Sequence, residues 1–264
     1  SVNRMDQVVG EIIQALQESG LAENTLVIFL SDHGMAWDLS KWSLYPSGVR
    51  TPIILRWPAK VKSGQIDSQS VVSVVDIAPT IAEICGLPPL NKTDGKSFSP
   101  LFTDRQLKWK RTLAFSCFNY MNNHSEVDDS IRSFNSDLSK QFDQYRPSRA
   151  LNNNKFCYVW NGWADGNLHL PKTMLGEFHW ILNEMTKTST DSVTIDYLRT
   201  KKFIEYRTPE ELYDLSIDPG CQINLADNSN LSLTLKKFRN RMKKVLQKTQ
   251  DHELDNFLSF INKP

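Results

Sequence analysis

Residues 25–34, Thr25-Leu26-Val27-Ile28-Phe29-Leu30-Ser31-Asp32-His33-Gly34, constrain the rest of the chain most. An unbroken apolar or β-branched run stops abruptly at a polar cluster. Its length is too short for a buried helix, and Gly34 supplies a break, so it reads as a strand buried on both faces. Ligands of open α/β sheets sit beyond the carboxyl ends of strands, which is where Asp32 and His33 stand. Asp offers hard oxygen and His a neutral ring nitrogen, together half of a divalent-metal site. The same dipeptide also fits a loop that merely caps the next segment.

The 264 residues are 40% hydrophobic, enough for one large or two modest domains with a proper core. Lys plus Arg is 31 and Asp plus Glu is 30, a formal net charge of +1. That balance gives no reason to expect nucleic acid or an anionic membrane as partner. The sequence has no run of 18 apolar residues that would cross a bilayer. It opens directly into an amphipathic helix, with no signal peptide visible. Cys85, Cys117, Cys157 and Cys221 are scattered without metal spacing. They read as ordinary buried thiols, and no pairing follows from their positions.

Val2, Met5, Val8, Val9, Ile12, Ile13 and Leu16 recur at helical spacing, predicting a helix over 2–19 that covers a sheet and ends at Gly20. A lone helix and strand have no sheet to join, so a preceding segment is expected. After Gly34 comes a loop rich in aromatics (Trp37, Trp42, Tyr45) around Lys41. A second strand is predicted over 49–58, and a helix after Asp76, read as its N-cap, with Pro79 in the first turn. A boundary is placed near 105, giving domains 1–105 and 106–264. Beyond it, 113–120 reads as a strand and 122–139 as a loop. Asn152-Asn153-Asn154-Lys155 joins two strands of a hairpin, and Glu211–Leu215 runs into the turn Asp218-Pro219-Gly220. Residues 231–248 form an amphipathic basic helix, with Lys236, Lys237, Arg239, Arg241, Lys243 and Lys244 on its wet face.

Several pieces in order resemble one family. Ser31-Asp32-His33-Gly34, Lys41, Gly48 through Pro58 with its Arg56-Trp57-Pro58, Val75 through Thr80, and Glu210-Glu211-Leu212-Tyr213-Asp214-Leu215 with Asp218-Pro219 and Asn224-Leu225 are similar to the type I sulfatases. These belong to the alkaline-phosphatase-like superfamily. The spacing from His33 to Lys41 is most like the heparan N-sulfatase (sulfamidase) branch.

The resemblance implies an α/β fold. Residues 1–105 would complete a mainly parallel sheet with covering helices, and 106–264 a smaller α+β domain with an antiparallel sheet and a C-terminal helix. It implies that Asp32 and His33 lie at positions that ligate a divalent cation, usually Ca²⁺. His33 contacts either the metal, the sulfate or the nucleophile's hydroxyl, and Lys41 holds a sulfate oxygen. The implied substrate is a sulfated saccharide, glycosaminoglycan-like, and the implied setting is periplasmic, secreted or lysosomal. The family's C/S-x-P-S/A-R motif, source of the formylglycine nucleophile, is absent. Arg146-Pro147-Ser148-Arg149 imitates its tail, but Tyr145 stands where the nucleophile would. The chain therefore resembles the C-terminal half of a sulfatase, inactive alone, with the N-terminal half expected to complete fold and site.

Arg50 and Arg56 read as structural, pairing with acids around the sheet. Trp42 and Tyr45 are candidates to wall a sugar pocket, and His169 and His179 to select a glycan. Two other readings remain open. One is a zinc phosphodiesterase of the same superfamily, with Asp32 and His33 on Zn²⁺. The other is a non-catalytic module that binds glycan or a partner.

Overall fold

The computed structural model describes residues 2–35, 39–41, 43–102, 109–120, 145–165 and 206–263. In chain order its helices are α1 (Val2–Glu18), α2 (Pro46–Val49), α3 (Ile77–Ile84), α4 (Ser232–Lys248) and α5 (Leu254–Ile261). Its strands are β1 (Val27–Leu30), β2 (Ile53–Arg56), β3 (Ala114–Tyr120), β4 (Tyr145–Asn152), β5 (Phe156–Asn161) and β6 (Glu210–Asp214). The chain divides into two compact units, residues 1–32 with 51–112, and residues 33–50 with 113–264.

In the first unit α1 forms where the apolar spacing predicts, and Gly20 follows it with φ +72°. That left-handed conformation is one a glycine adopts without a Cβ penalty. The helix buries none of its residues, and Val2 (70%) and Ile12 (59%) of its apolar stripe are exposed. β1 pairs antiparallel with β2, Val27 opposite Arg56 and Leu30 opposite Ile53. The expected burial of β1 on both faces is not found, because all four of its residues are half-exposed. A continuous apolar run signals a need for cover on both faces; it does not fix the direction of the neighbouring strand.

Asp76 corrects the expected capping of α3. Its carboxylate makes no cap to that helix. It closes a capping box with Ser73 one turn earlier, accepting the Ser73 N–H at 2.8 Å. It also accepts the Lys96 N–H at 2.8 Å and Arg111 Nη2 at 2.6 Å, with Asp76 fully buried. A buried charge needs such partners, and here one carboxylate ties three separate segments of the unit together. Arg56 departs from its expected pairing with acids. Its Nη1 and the Trp57 Nε1 are buried donors without a partner among the described residues. Both residues line a cleft of about 1070 Å³ with Lys62, Gln65 and Phe98.

The second unit is an antiparallel sheet in the order β3-β4-β5-β6, as the resemblance implies. The predicted hairpin is present. Asn153 Oδ1 accepts the N–H groups of Lys155 (2.8 Å) and Phe156 (2.6 Å), which sets the turn between β4 and β5. Alternation at period two sorts the side chains. Leu151, Tyr158, Trp160 and Leu212 meet Leu235, Phe238, Met242 and Leu246 of α4 and Phe257 of α5. Ala150, Cys157, Val159 and Tyr213 face the other way, onto Leu44, Tyr45 and Cys221.

α5 has no counterpart in the sequence reading, although Leu254, Phe257, Leu258 and Ile261 carry helical spacing. On α4, Arg239 is half-exposed and paired with the sheet rather than merely solvated. It grips Glu210 with Nε at 2.8 Å and Nη2 at 2.5 Å, beside the Tyr158 hydroxyl at 2.7 Å. The expected loop at 122–139, Trp37, Trp42, His169 and His179 lie outside the described residues.

Candidate functional site

Asp32 follows β1 by two residues and is exposed. It is the last residue of the first unit's N-terminal segment, and His33 begins the second unit's. His33 is also exposed, and its Nδ1 lies 2.8 Å from its neighbour's carbonyl, Gly34 O. A carbonyl only accepts, so Nδ1 donates in this contact. In the neutral ring that leaves the lone pair on Nε2, the form in which imidazole ligates a metal. Consecutive in sequence, the two residues offer one anionic oxygen donor and one nitrogen donor. This donor set suits part of a divalent-cation site; Ca²⁺ takes six to eight oxygens and would need most of its shell from elsewhere. Among the described residues no group of three or more His, Cys, Asp or Glu gathers as a metal cluster.

The loop that carries His33 and Lys41 is folded on itself. Gly34 N–H donates to Gly48 O at 2.9 Å, and Lys41 N–H to Met35 O at 2.9 Å. Ser40 Oγ donates to Ser47 O at 2.7 Å, and Ser43 Oγ to Ser40 O at 2.7 Å. The crossing leaves no room for a side chain at either glycine. A Cβ on Gly34 would sit 1.9 Å from Ser47 O, and one on Gly48 2.2 Å from Ser40 O. The sequence Ser40, Ser43, Gly48 thus makes a tight backbone platform, on which Lys41 is half-exposed.

The platform is fastened to the sheet of its own unit by Tyr45. Expected as a pocket wall, Tyr45 is a core residue, 3% exposed. Its hydroxyl donates to Glu211 Oε2 at 2.5 Å and accepts from Arg207 Nη1. Glu211, on β6 and fully buried, also accepts from Tyr213 OH at 2.8 Å and Asn161 Nδ2 at 2.6 Å. Arg207 Nη1 lies 3.7 Å from Glu211 Oε1. Burial, followed by the charge of Glu211, pushes the Tyr45 hydroxyl well above its ordinary value, with Arg207 opposing. The Tyr213 hydroxyl moves the same way, chiefly through burial. Both phenols are therefore neutral donors, and Glu211 is a saturated acceptor. The resemblance of residues 210–215 to the family's sequence carried no hint of this; the chain alternation only placed Glu211 on the face of Tyr213.

Tyr145 lies on β4, its hydroxyl bonded to His252 Nε2 at 2.6 Å and to Glu253. Arg149 is locked by Nε and Nη2 onto Asp251 at 2.7 and 2.8 Å. Pro-Ser-Arg here is strand and core. Arg50 is exposed.

Residues 1–87 match the Sulfatase family model, a span that includes Asp32, His33 and Lys41. The chain is 26% identical over 247 residues to an ulvan-active sulfatase of Formosa agariphila, covering 93% of this chain and 37% of that protein. It is 27% identical over 264 residues to human N-sulphoglucosamine sulphohydrolase, covering 95% and 47%. It thus spans less than half the length of either relative. Among solved structures, one in complex with its substrate D-glucosamine-2-N,6-O-disulfate superposes with a TM-score of 0.59 at 17% identity, over 96% of this chain and 40% of that one. The phosphonate monoester hydrolase of Agrobacterium radiobacter gives 0.59 at 20% identity, over 92% and 39%. These two show a shared fold.

Proposed function

We propose that this chain belongs to the sulfatase family and supplies part of a site that hydrolyses sulfate esters or sulfamates of sulfated, glycosaminoglycan-type sugars. The observation that carries this reading is the family match over residues 1–87, which includes the Asp32-His33 pair after β1 and Lys41 on its glycine-tied platform. In this reading Asp32 gives a carboxylate oxygen, and His33 Nε2 a second contact, to Ca²⁺. When bound, the cation neutralises sulfate oxygens and fixes their orientation. Lys41 places an ammonium against a sulfate oxygen, where charge builds as the S–O or S–N bond breaks. The crossed backbone at Gly34 and Gly48, with the Lys41 N–H on Met35 O, fixes the stretch of main chain from which that side chain extends.

The attacking group belongs to polypeptide outside these 264 residues. Three features support that. The sequence contains no C/S-x-P-S/A-R motif and, among the described residues, nothing covers the apolar stripe of α1 or partners the buried donors Arg56 Nη1 and Trp57 Nε1. The same polypeptide would cover the stripe and accept from the orphans. The test is sulfate release from N- and O-sulfated glucosamine by the protein carrying this segment, with and without Ca²⁺, against the 264-residue chain alone. Calcium-dependent release by the former only is expected. Turnover by the chain alone would remove the claim of an outside nucleophile.

The likeness to a phosphonate monoester hydrolase favours a second reading, phosphorus-ester hydrolysis with Asp32 and His33 on Zn²⁺. Hydrolysis of a phosphodiester without any sulfate release would select it.

A further inference from the structure

The two buried cysteines stand apart from the other two. Cys85 and Cys117 are exposed. Cys157 and Cys221 are each 0% exposed and belong to one side-chain cluster, with Tyr45, Val159 and Tyr213 around them. Cys157 sits on β5 opposite Tyr213 of β6. Cys221 closes the turn after β6, its N–H donating to Asp218 O at 3.1 Å. It does so at φ +54°, a left-handed conformation that a non-glycine residue holds only when its surroundings enforce it. What enforces it on the backbone side is Asp218, whose carboxylate accepts the next two N–H groups, Gln222 and Ile223, each at 2.8 Å.

We propose that Cys157 and Cys221 are the site of an intrachain disulfide that pins the turn after β6 to β5. The pair has what a bridge needs first: two buried thiols in one side-chain cluster, one on β5 and one in the turn after its neighbour β6, with Cys85 and Cys117 exposed elsewhere. Two S–H bonds break and one S–S bond forms. The oxidant is itself a disulfide, of a small thiol or of an oxidoreductase. Its S–S bond takes up two electrons and two protons and leaves as two thiols.

Exchange proceeds through a thiolate. Burial, then contact with Cys221 and the nearby Glu211 carboxylate, raises the Cys157 thiol well above its ordinary value. The folded, reduced protein therefore reacts slowly, and the bond forms while the chain folds, before the cluster closes. Once formed it is shielded from reductant by the same packing. The link would stabilise by closing the long stretch between the two cysteines in the unfolded chain.

The experiment uses the full 264-residue chain with Cys85→Ser and Cys117→Ser, so that only the buried pair can react. It is refolded from denaturant with a mixture of oxidised and reduced glutathione, or with reductant only. The expected product of the first is a peptide joining Cys157 to Cys221 under non-reducing digestion. Its thermal midpoint should lie roughly 5–10 °C above that of the reduced form. The gain should vanish when reductant is added to the unfolded, but not the folded, protein. C221S on the same background should show neither the linked peptide nor the shift; should it fail to fold, the two redox forms of the parent carry the comparison. The proposal is overturned if both thiols alkylate fully after oxidative refolding, if only glutathione adducts form, or if the linked form melts no higher than the reduced one.

Discussion

The hydroxyl of Tyr45 donates to the carboxylate of Glu211 at 2.5 Å, between residues far apart in sequence and both buried. Through that bond the loop bearing His33 and Lys41 is anchored to β6 of its own unit. Tyr45→Phe keeps the ring against Tyr213 (5.7 Å between centroids, 82° apart) and removes only the hydroxyl. Glu211 retains Tyr213 and Asn161, so the loss should be about 1–3 kcal/mol in denaturant unfolding. Glu211→Gln leaves Arg207 without its buried counter-charge and should cost more, on the order of 3–5 kcal/mol. In a double-mutant cycle the two losses should fall well short of adding. Additive losses would mean the bond does not couple loop and strand.

Gly34 and Gly48 should resist even alanine. The Cβ of Gly34→Ala meets Ser47 O, a backbone atom that moves only if the loop moves. A loss of about 1–3 kcal/mol is expected, as for overpacked sites. Gly10→Ala, which meets nothing within 4 Å on exposed α1, should be neutral or slightly stabilising. Equal stability of the Gly34 and Gly10 variants would contradict the crossing of the two loop arms.

The pair Arg149–Asp251 gives stability a definite pH dependence. Burial pushes the Asp251 carboxyl up, but Arg149 and the Glu253 N–H outweigh it and hold it below the usual carboxylate range. With the folded pKa below the unfolded one, the unfolded chain binds the proton first. Stability from this pair is therefore present above about pH 4 and lost as pH falls through the lower folded value. Asp251→Asn should be less stable than the parent near neutral pH, and the gap should narrow on acidification toward about pH 2–3. Chemical denaturation of both proteins across that range decides it; a gap that widens on acidification has the wrong sign.

How much of this was legible depended on the range of the interaction. The hairpin at Asn153, the helix from Ser232 and the turn at Asp218 are written locally, as turn chemistry or spacing, and all are found. The antiparallel pairing of β1 with β2 is not local: an apolar run says that a strand needs cover and leaves direction open. Asp76 looked like a cap for α3 because Pro79 follows it, yet its carboxylate caps the turn at Ser73 and reaches Lys96 and Arg111, farther along the chain. Tyr45 looked like a pocket aromatic because it lies in a loop; only the alternation on β6, which puts Glu211 beside Tyr213, could have hinted at a buried acid wanting a donor. α5 was available in the spacing of Leu254, Phe257 and Ile261. At the candidate site the residue types of Asp32, His33 and Lys41 were legible, whereas the glycine crossing behind Lys41 is made by backbone approaches between Gly34 and Ser47 and between Ser40 and Gly48 that no local spacing announces.

Asp32 and Lys41 should fail differently in the protein that carries this segment. Asp32 offers a carboxylate, and a hard cation loses affinity when one oxygen ligand is removed. Asp32→Ala should therefore raise the Ca²⁺ concentration needed for half-maximal activity, with excess Ca²⁺ restoring part of the rate. Lys41 offers a positive charge and no lone pair, so it cannot ligate the cation. Lys41→Ala should leave the Ca²⁺ dependence in place and lower turnover, on the order of a hundredfold or more, because a preorganised charge facing the transferred group is lost. Lys41→Arg keeps the charge but spreads it over a planar fork, and should recover only part. Calcium titrations of activity for the three variants separate the roles. Near-normal turnover of Lys41→Ala would remove Lys41 from the site. Rescue of Lys41→Ala by Ca²⁺, with none for Asp32→Ala, would reverse the assignments.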